Sequence, residues 1–293
     1  MRKIYFGDNL PILRDLPSGL ADLVYIDPPF NTGGWQTRTR LRTVRDDNGD
    51  RVGFQGKRYR SEPLSRNQFH DQFDDFLAFL EPRLIEIRRV LSDSGSLYFH
   101  IDYREVHYCK VLLDQIFGRD CFLNEIIWAY DYGGRPKRRW PAKHDNILLY
   151  VKDPQRYTFN RDNIDRIPYM APGLVGPEKA AKGKLPTDTW WHTIVAPGSK
   201  ERTGYPTQKP EPLIERIVRA SSSAGSVVLD CFAGSGTTGA VCARLDRGFV
   251  LIDNNAEAIR VMRRRLPRDT DLIGGAPSDF EAAPAPGTQA ARA

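Results

Sequence analysis

The sequence predicts an α/β fold built on a largely parallel, doubly wound sheet, and three observations carry that expectation. Apolar runs of strand length alternate with stretches of helical periodicity along most of the chain, the pattern of a parallel sheet covered on both faces. Val227-Val228-Leu229-Asp230 runs through a glycine-rich turn into a helix reaching about Leu245, which sets backbone amides at a helix N-terminus against a ligand. The apolar run Asp22 to Ile26 ends in Asp27-Pro28-Pro29-Phe30, where two prolines fix φ and remove two backbone donors. Ligands in such sheets bind beyond the carboxyl ends of strands, where strand order reverses. If the strands ending at Asp27 and Asp230 are neighbours there, the two stretches meet.

Taken in order, Lys3 to Phe6 is a strand ending at Gly7-Asp8, with a helix from about Leu10 to Leu16. Asp8 reads either as that helix's N-cap or as a contact for a ligand's amino group, and the first role does not exclude the second. Asp22 to Ile26 is a buried strand. The tetrapeptide after it is either a strand-terminating turn or a rigid site: the Asp27 carboxylate and the Pro28 carbonyl form an acceptor pair beside the Phe30 ring, suited to a planar ring bearing an exocyclic NH₂.

Residues 31 to 70 show little apolar periodicity and many cations, including Arg38, Arg40, Arg42, Lys57 and Arg58. They are expected to be an irregular loop, either a solvated surface or an arm for a polyanion, with Asp46, Asp47 and Asp50 diluting the charge. Phe73 to Leu91 carries apolar residues at helical spacing, Ser96 to Ile101 is a strand, Val106 to Phe117 a helix, and Glu125 to Trp128 a strand. His100 is expected to be a satisfied structural histidine. A second basic loop, Asp131 to Pro141, holds Arg135, Lys137, Arg138 and Arg139 between aromatics and suits either a nucleic-acid groove or a solvated tip. His144 to Val151 returns as a strand.

Residues 153 to 203 have weak periodicity; Trp190 and Trp191 within them either face a groove or pack in the ordinary way. Pro206-Thr207-Gln208-Lys209-Pro210 precedes a helix from Pro212 to Ala220. After the glycine-rich unit, Phe249 to Ile252 ends in Asp253-Asn254, where an acid at a strand tip suits ribose hydroxyls. A last helix reaches about Leu266, its Arg263-Arg264-Arg265 run a solvated face. From Gly274 to Ala293 scarcely any large apolar residue remains, and a disordered tail is expected.

Read alone, the glycine pattern fits NAD as well as S-adenosylmethionine. Read with Asp27-Pro28-Pro29-Phe30, it favours the latter, since an NAD-dependent oxidoreductase gives that stretch no role and too little chain follows Val227 to build its nucleotide fold.

In this order the chain resembles a β-class DNA amino-methyltransferase over about residues 1 to 273. The resemblance rests on Asp27-Pro28-Pro29-Phe30 ahead of Phe232-Ala233-Gly234-Ser235-Gly236, together with Gly7-Asp8-Asn9-Leu10, Gly95 to Asp102, His144 to Leu148 and Pro206 to Pro210. It implies a Rossmann-like seven-stranded methyltransferase sheet, circularly permuted so that the catalytic half precedes the cofactor half. It implies S-adenosyl-L-methionine as cofactor, with Asp8, Asp27, Thr207, Lys209, Asp230, Phe232, Ala233, Gly234, Ser235, Gly236, Thr237, Asp253 and Asn254 about it, and Asp27, Pro28, Pro29 and Phe30 as the catalytic set. It implies methylation of a flipped-out base, adenine N6 ahead of cytosine N4 because the motif begins with an acid. The basic residues of 31 to 70 and 131 to 141, with Trp190 and Trp191, become the expected DNA contacts, and 153 to 203 the target-recognition insertion. Double-stranded DNA, a homodimer and a cognate restriction endonuclease are the partners it suggests. A non-catalytic DNA-binding module stays as the remaining alternative, against which the intact Asp27 stands.

Composition is consistent with this. The 293 residues carry a net charge of +6, which suits a polyanionic partner, and can bury one sizeable core. Cys109, Cys121, Cys231 and Cys242 have no short paired spacing, so buried, reduced thiols are expected, with neither disulfide nor metal. No apolar run reaches membrane-spanning length and no signal peptide is evident, so a cytoplasmic setting is expected, and the resemblance implies a bacterial one.

Overall fold

The computed structural model describes residues 1–30, 34–45, 51–52, 58–71 and 75–275, giving only the backbone for the strands between 34 and 71 apart from Arg60. In chain order the elements are β1 (Arg2–Phe6), α1 (Asn9–Asp15), β2 (Ala21–Ile26), β3 (Gly34–Arg45), β4 (Arg51–Val52), β5 (Arg58–Asp71), α2 (Phe76–Val90), β6 (Leu91–Ile101), α3 (Val106–Phe117), β7 (Phe122–Ala129) and β8 (His144–Val151). They continue with α4 (Pro177–Lys182), β9 (Thr189–Trp191), α5 (Glu211–Ser221), β10 (Val227–Asp230), α6 (Thr237–Arg244), β11 (Gly248–Asp253), α7 (Ala256–Arg265) and β12 (Asp271–Ile273). Contacts divide the chain into two compact units, Met1–Pro28 with Leu77–Ala293, and Pro29–Phe76.

The larger unit is organised by a sheet in the order β12-β1-β11-β10-β2-β6-β8-β7-β9. Its seven inner strands are the expected sheet; three-residue strands β12 and β9 extend it to nine. Strands β1, β11, β10, β2 and β6 pair in parallel, while β8 runs antiparallel to both β6 and β7. The strands read from sequence as buried are so: β2 is buried at five of six positions and β8 at seven of eight.

β10 and β2 are direct neighbours, Val228 opposite Leu23 and Leu229 opposite Val24. From that pair the chain moves outward in opposite directions, through α6 to β11 and through α2 to β6. Right-handed crossovers in opposite directions place their helices on opposite faces and open a crevice between the two strands. The sheet reversal therefore falls where the two motifs end, although β2 comes first in the chain.

Helix entries follow local chemistry. Asp8 caps α1 by accepting from Leu10 N at 3.0 Å, and Asn255 caps α7 by accepting from Glu257 N at 2.8 Å. α5 turns Leu213, Ile214, Ile217 and Val218 inward, each burial contributing about 1.5–3 kcal/mol. Gly239 lets α6 lie close on β11: a Cβ there would come within 2.7 Å of Leu251 Cδ1.

The smaller unit corrects one expectation. Residues read as an irregular loop pair as an antiparallel sheet, β3 against β5 from Gly34↔Asp71 to Arg45↔Tyr59, with β4 on β5. The reason lies in β3, where Thr37, Thr39 and Thr43 alternate with arginines. Threonine is β-branched and favours a strand, but a search for apolar alternation passes over it. Lys57 and residues 276–293, most of the expected tail, lie outside the described residues.

Candidate active site

Three carboxylates end adjacent strands: Asp27 after β2, Asp230 on β10 and Asp253 on β11. Each is held differently. Asp230 is turned into the glycine-rich turn, where Thr238 Oγ1 donates to Oδ2 at 2.6 Å and Phe232 N donates to Oδ1 at 3.1 Å. Burial, reinforced by Asp27 and Asp253, outweighs those bonds and pushes its pKa up to about 7. Asp253 Oδ2 accepts from Gly234 N and Oδ1 from Asn255 N, both at 2.8 Å, while burial raises its pKa. Gly234 and Gly236 have φ of +49° and +71°, the left-handed region that glycine enters without strain.

Asp27 instead forms an ion pair with Lys209, 182 positions away, both side chains being largely buried. Lys209 also accepts, through its backbone carbonyl, from Thr237 Oγ1 at 3.2 Å. This one residue thus ties the Asp27 stretch to the start of α6. The other carboxylate oxygen, Asp27 Oδ1, is buried and has no hydrogen-bond partner among the described residues. Behind it lies His100 on β6, its Nδ1 at 3.9 Å.

His100 is wholly buried. Its Nδ1 is 2.8 Å from Tyr25 Oη and its Nε2 3.2 Å from Asp145 Oδ2, whose other oxygen accepts from Tyr130 Oη at 3.1 Å. Burial would raise the Asp145 pKa, but the hydrogen bond and field of His100, with Lys209 and Tyr130, hold it below the usual carboxylate range. The expected satisfied histidine is therefore found, but against the Asp27 carboxylate. Neither it nor Asp145 was among the expected site residues.

The glycine-rich turn is braced from behind. Asn9 Nδ2 donates to Cys231 O at 2.8 Å, and the buried Arg83 donates through Nε to Asn9 Oδ1 at 2.6 Å and through Nη2 to Asp8 Oδ1 at 2.9 Å. Asp8 is thus both a cap and an ion-pair partner. Phe232 leans on Phe79, ring centroids 6.2 Å apart, and Ala233 N donates to Ile252 O at 3.1 Å. Ser235 and Thr237 hydroxyls lie 3.1 Å apart, and Arg265 Nη1 donates to Thr237 Oγ1 at 3.0 Å. Arg265, read from sequence as part of a solvated face, is held inward by Glu211 at 2.7 Å. Asn254 and Thr207 are exposed; Gln208, between the two expected cofactor residues Thr207 and Lys209, folds the turn by accepting from Thr203 N and Oγ1 at 2.8 Å and donating to Glu201 O at 2.7 Å.

The remaining expected residues are scattered. Arg135, Lys137, Arg138 and Arg139 stand exposed on the loop after β7, with Trp140 at 93% exposure; Arg139 donates to Tyr103 Oη at 3.1 Å. Trp190 is 8% exposed within the core, its Nε1 donating to Thr187 O at 2.7 Å. Of the two roles open to it, ordinary packing is the one seen, whereas Trp191 is exposed. Arg38, Arg40, Arg42 and Arg58 fall on strands of the smaller unit, and Pro29 and Phe30 begin that unit. All four cysteines are buried and free. Burial pushes the Cys231 thiol well above its usual range, which removes it as a nucleophile. Among the described residues no cluster of His, Cys, Asp or Glu could hold a metal ion, and no helix is long and apolar enough to cross a membrane.

Carboxylates gathered at a sheet reversal, with a glycine turn on one side and an ion-paired acid on the other, occupy the crevice where open α/β sheets bind their ligands. The N6_N4_Mtase family model, described as DNA methylase, matches residues 21–264, and the chain belongs to that family. It is 32% identical over 273 residues to the Type II methyltransferase M.HpaI of Haemophilus parainfluenzae, covering 93% of this chain and 76% of the relative. It is 31% identical over 278 residues to the DNA adenine methyltransferase YhdJ of Escherichia coli K12, covering 90% and 82%. In fold it is similar to the M1.HpyAVI–SAM complex, with a TM-score of 0.58 at 20% identity over 90% of this chain and 98% of that one. Membership in a DNA methylase family sets aside the NAD-dependent alternative.

Proposed function

We propose that the protein transfers a methyl group from S-adenosyl-L-methionine to the N6 amino group of adenine in double-stranded DNA, with the target base flipped out of the helix. The observation that carries this reading is Lys209, which pairs with Asp27 through its ammonium and with Thr237 through its carbonyl, so that one residue joins the acid to the glycine turn.

The residues present fit the cofactor. Asp253, at a strand tip, would hold the ribose hydroxyls, the backbone of Phe232 to Thr237 would hold the methionine portion, and Asp8 would accept from the adenine amino group. An ammonium has three donors, so Lys209 can serve Asp27 and, with Thr207, the methionine carboxylate together. A Cβ at Gly234 would lie 3.2 Å from the Tyr205 ring, which would have to give by a few tenths of an ångström to admit a side chain. Bound there, the cofactor supplies an electrophilic methyl group on a sulfonium.

This chain's residues supply position and charge. An exocyclic amino nitrogen is a poor nucleophile because its lone pair is delocalised into the ring. Hydrogen bonds from that NH₂ to the Asp27 carboxylate and the Pro28 carbonyl favour a pyramidal nitrogen whose lone pair can attack in line. The Lys209 ammonium, paired with Asp27 Oδ2, holds that side chain in place. A base inside a duplex cannot reach this site, which calls for flipping, and Phe30 is the stacking face the tetrapeptide provides. Exposed cations on the 131–141 loop suit phosphate contacts.

Adenine is preferred over cytosine because the motif begins with an acid and because one relative carries adenine in its name; an acceptor pair around an NH₂ does not itself separate the two bases. Incubating the protein with S-adenosyl-L-methionine and unmethylated plasmid, then separating the nucleosides by mass, tests the reading. N6-methyladenine is expected. N4-methylcytosine would replace the base and keep the mechanism, and neither product would defeat it. A cognate restriction endonuclease and a second copy of the chain are its further expected partners, checked by cleavage protection of the methylated plasmid and by sedimentation.

A further inference from the structure

The contacts behind Asp27 do more than complete a fold. Asp145 ionised can only accept, so His100 Nε2 carries the proton of their 3.2 Å contact, and Nδ1 is left as the basic nitrogen. That nitrogen lies 3.9 Å from Asp27 Oδ1, a buried oxygen without a hydrogen bond among the described residues. An unsatisfied buried carboxylate oxygen calls for an explanation. Tyr25, 2.8 Å from Nδ1, can donate to it when the imidazole is neutral and accept from it when it is protonated. Its own ionisation is suppressed by burial, with Asp27, Asp230 and Asp145 adding to the effect.

We infer that His100, oriented by Asp145 and acting through Asp27, accepts the proton that leaves the base amino group during methylation. The inference rests on the methyl-transfer reading above and adds the fate of the proton. The amino nitrogen bonds to the methyl carbon as the carbon–sulfur bond breaks, that bond's electron pair remaining on sulfur. The nitrogen then carries a positive charge and gives one proton to Asp27. When the 3.9 Å gap between Oδ1 and His100 Nδ1 closes to hydrogen-bond length in the substrate complex, the proton passes to Nδ1, restoring the Asp27 carboxylate and leaving an imidazolium between two carboxylates. Asp145 stabilises that cation and fixes the tautomer that receives the proton, the logic by which a buried carboxylate supports a general-base histidine. Tyr130, half-buried on the far side of Asp145, offers the way out to solvent. The ion pair with Lys209 on Oδ2 leaves Oδ1 as the oxygen turned toward His100.

The groups that set the titration are all at hand. Tyr25 and Asp27 face the imidazole from β2 and its end, and Asp145 faces it from β8. Lys209 acts through Asp27, Asp230 lies beyond Tyr25, and Tyr130 lies beyond Asp145 with Asp102 and Arg104 acting on it. Trp128 covers the imidazole edge-to-face at 5.5 Å and adds no charge.

Two measurements test this together. With five histidines in the chain, nitrogen NMR of histidine-labelled protein can follow His100 directly; Asp145→Asn and Asp27→Asn should each lower its pKa by about one pH unit or more. Single-turnover methylation of DNA should fall in acid along a limb at the His100 pKa. In Asp145→Asn that limb should move down with the NMR value. In His100→Gln it should vanish while the rate at neutral pH drops roughly 10–100-fold and S-adenosylhomocysteine binding is unchanged. A limb that persists in His100→Gln, or that stays fixed in Asp145→Asn while the imidazole pKa moves, overturns the relay and leaves His100 structural. If His100→Gln fails to fold, Asp145→Asn alone decides. Absence of any methylated base from the unsubstituted protein overturns the methyl-transfer reading and the relay with it, whereas normal product with an untracked limb overturns only the relay.

Discussion

The ends of β2 and β10 lie side by side and each carries an aspartate, yet the two carboxylates are held in opposite ways. Asp230 has a hydrogen bond on each oxygen, from a hydroxyl and from a backbone amide of its own turn. Asp27 has an ammonium on one oxygen and, among the described residues, no hydrogen bond on the other. A carboxyl group hydrogen-bonded on both oxygens within its own turn braces that turn. Asp27 is paired instead with a lysine distant in the chain. If, as proposed above, Asp27 is the reagent and Asp230 part of the scaffold, substitution should separate them.

The largest effect is expected at Asp27. Asp27→Asn keeps the volume, removes the charge that Lys209 pairs with, and should lower single-turnover methyl transfer on the order of 10³-fold. S-adenosylhomocysteine affinity by titration calorimetry should stay within a few-fold. Equal loss of both would mean that Asp27 belongs to the scaffold after all.

Next comes the glycine turn. Gly236 has a left-handed φ of +71°, and a Cβ there would come within 2.6 Å of Met262 Cγ. Gly236→Val combines backbone strain of about 1–2 kcal/mol with that overlap, so cofactor binding should be lost and the melting temperature should fall. If binding survives, the turn is not the cofactor cradle.

Asp230 sharpens the contrast through pH. Its folded pKa is raised to about 7, above the ordinary carboxylate value, so the folded state holds the proton more tightly than the unfolded chain does. The stability this contributes is full below about pH 4 and is lost as pH rises through about 7, amounting to a few kcal/mol at most. Urea unfolding of Asp230→Asn at pH 5 and pH 8 should show a smaller difference than the unsubstituted protein shows. An equal difference would mean that burial does not govern this carboxyl.

How much of this was legible beforehand depended on the range of the interaction. Asp27-Pro28-Pro29-Phe30 and Phe232 to Gly236 are local, each a strand end with its own turn, whereas the adjacency of β2 and β10 was only a condition that the family resemblance implied. His100 and Asp145 were not legible as a pair. They sit on antiparallel strands, with His100 opposite Ile147, and no spacing along the chain announces a register between residues 45 apart. Arg265 was misread for a similar reason: on α7 it belongs to a charged run, and only packing against Glu211 and Thr237 turns it inward. The strand β3 was missed because its threonines alternate with arginines rather than with apolar residues. Trp190 was ambiguous because a large aromatic in a weakly periodic segment carries no sign of which side of it is wet.

The smallest expected effect lies outside both aspartates, on the loop after β7, and it separates binding from chemistry. Arg135, Lys137 and Arg138 are exposed, so their charges are screened, and replacing them costs the fold little. If they meet phosphates, each releases counterions on binding, and every cation removed should lower the slope of log affinity against log salt by about 1. Lys137→Ala with Arg138→Ala should therefore weaken DNA binding at low salt by a similar factor for any sequence. The single-turnover rate at saturating DNA should be unchanged, since neither residue approaches Asp27 through any contact seen here. A salt slope unaltered by both substitutions would make this loop a solvated tip and move the DNA surface elsewhere. A slope that falls together with the saturating rate would show that the loop also sets the position of the base over Asp27, which would tie the outermost charges of the unit to its innermost carboxylate.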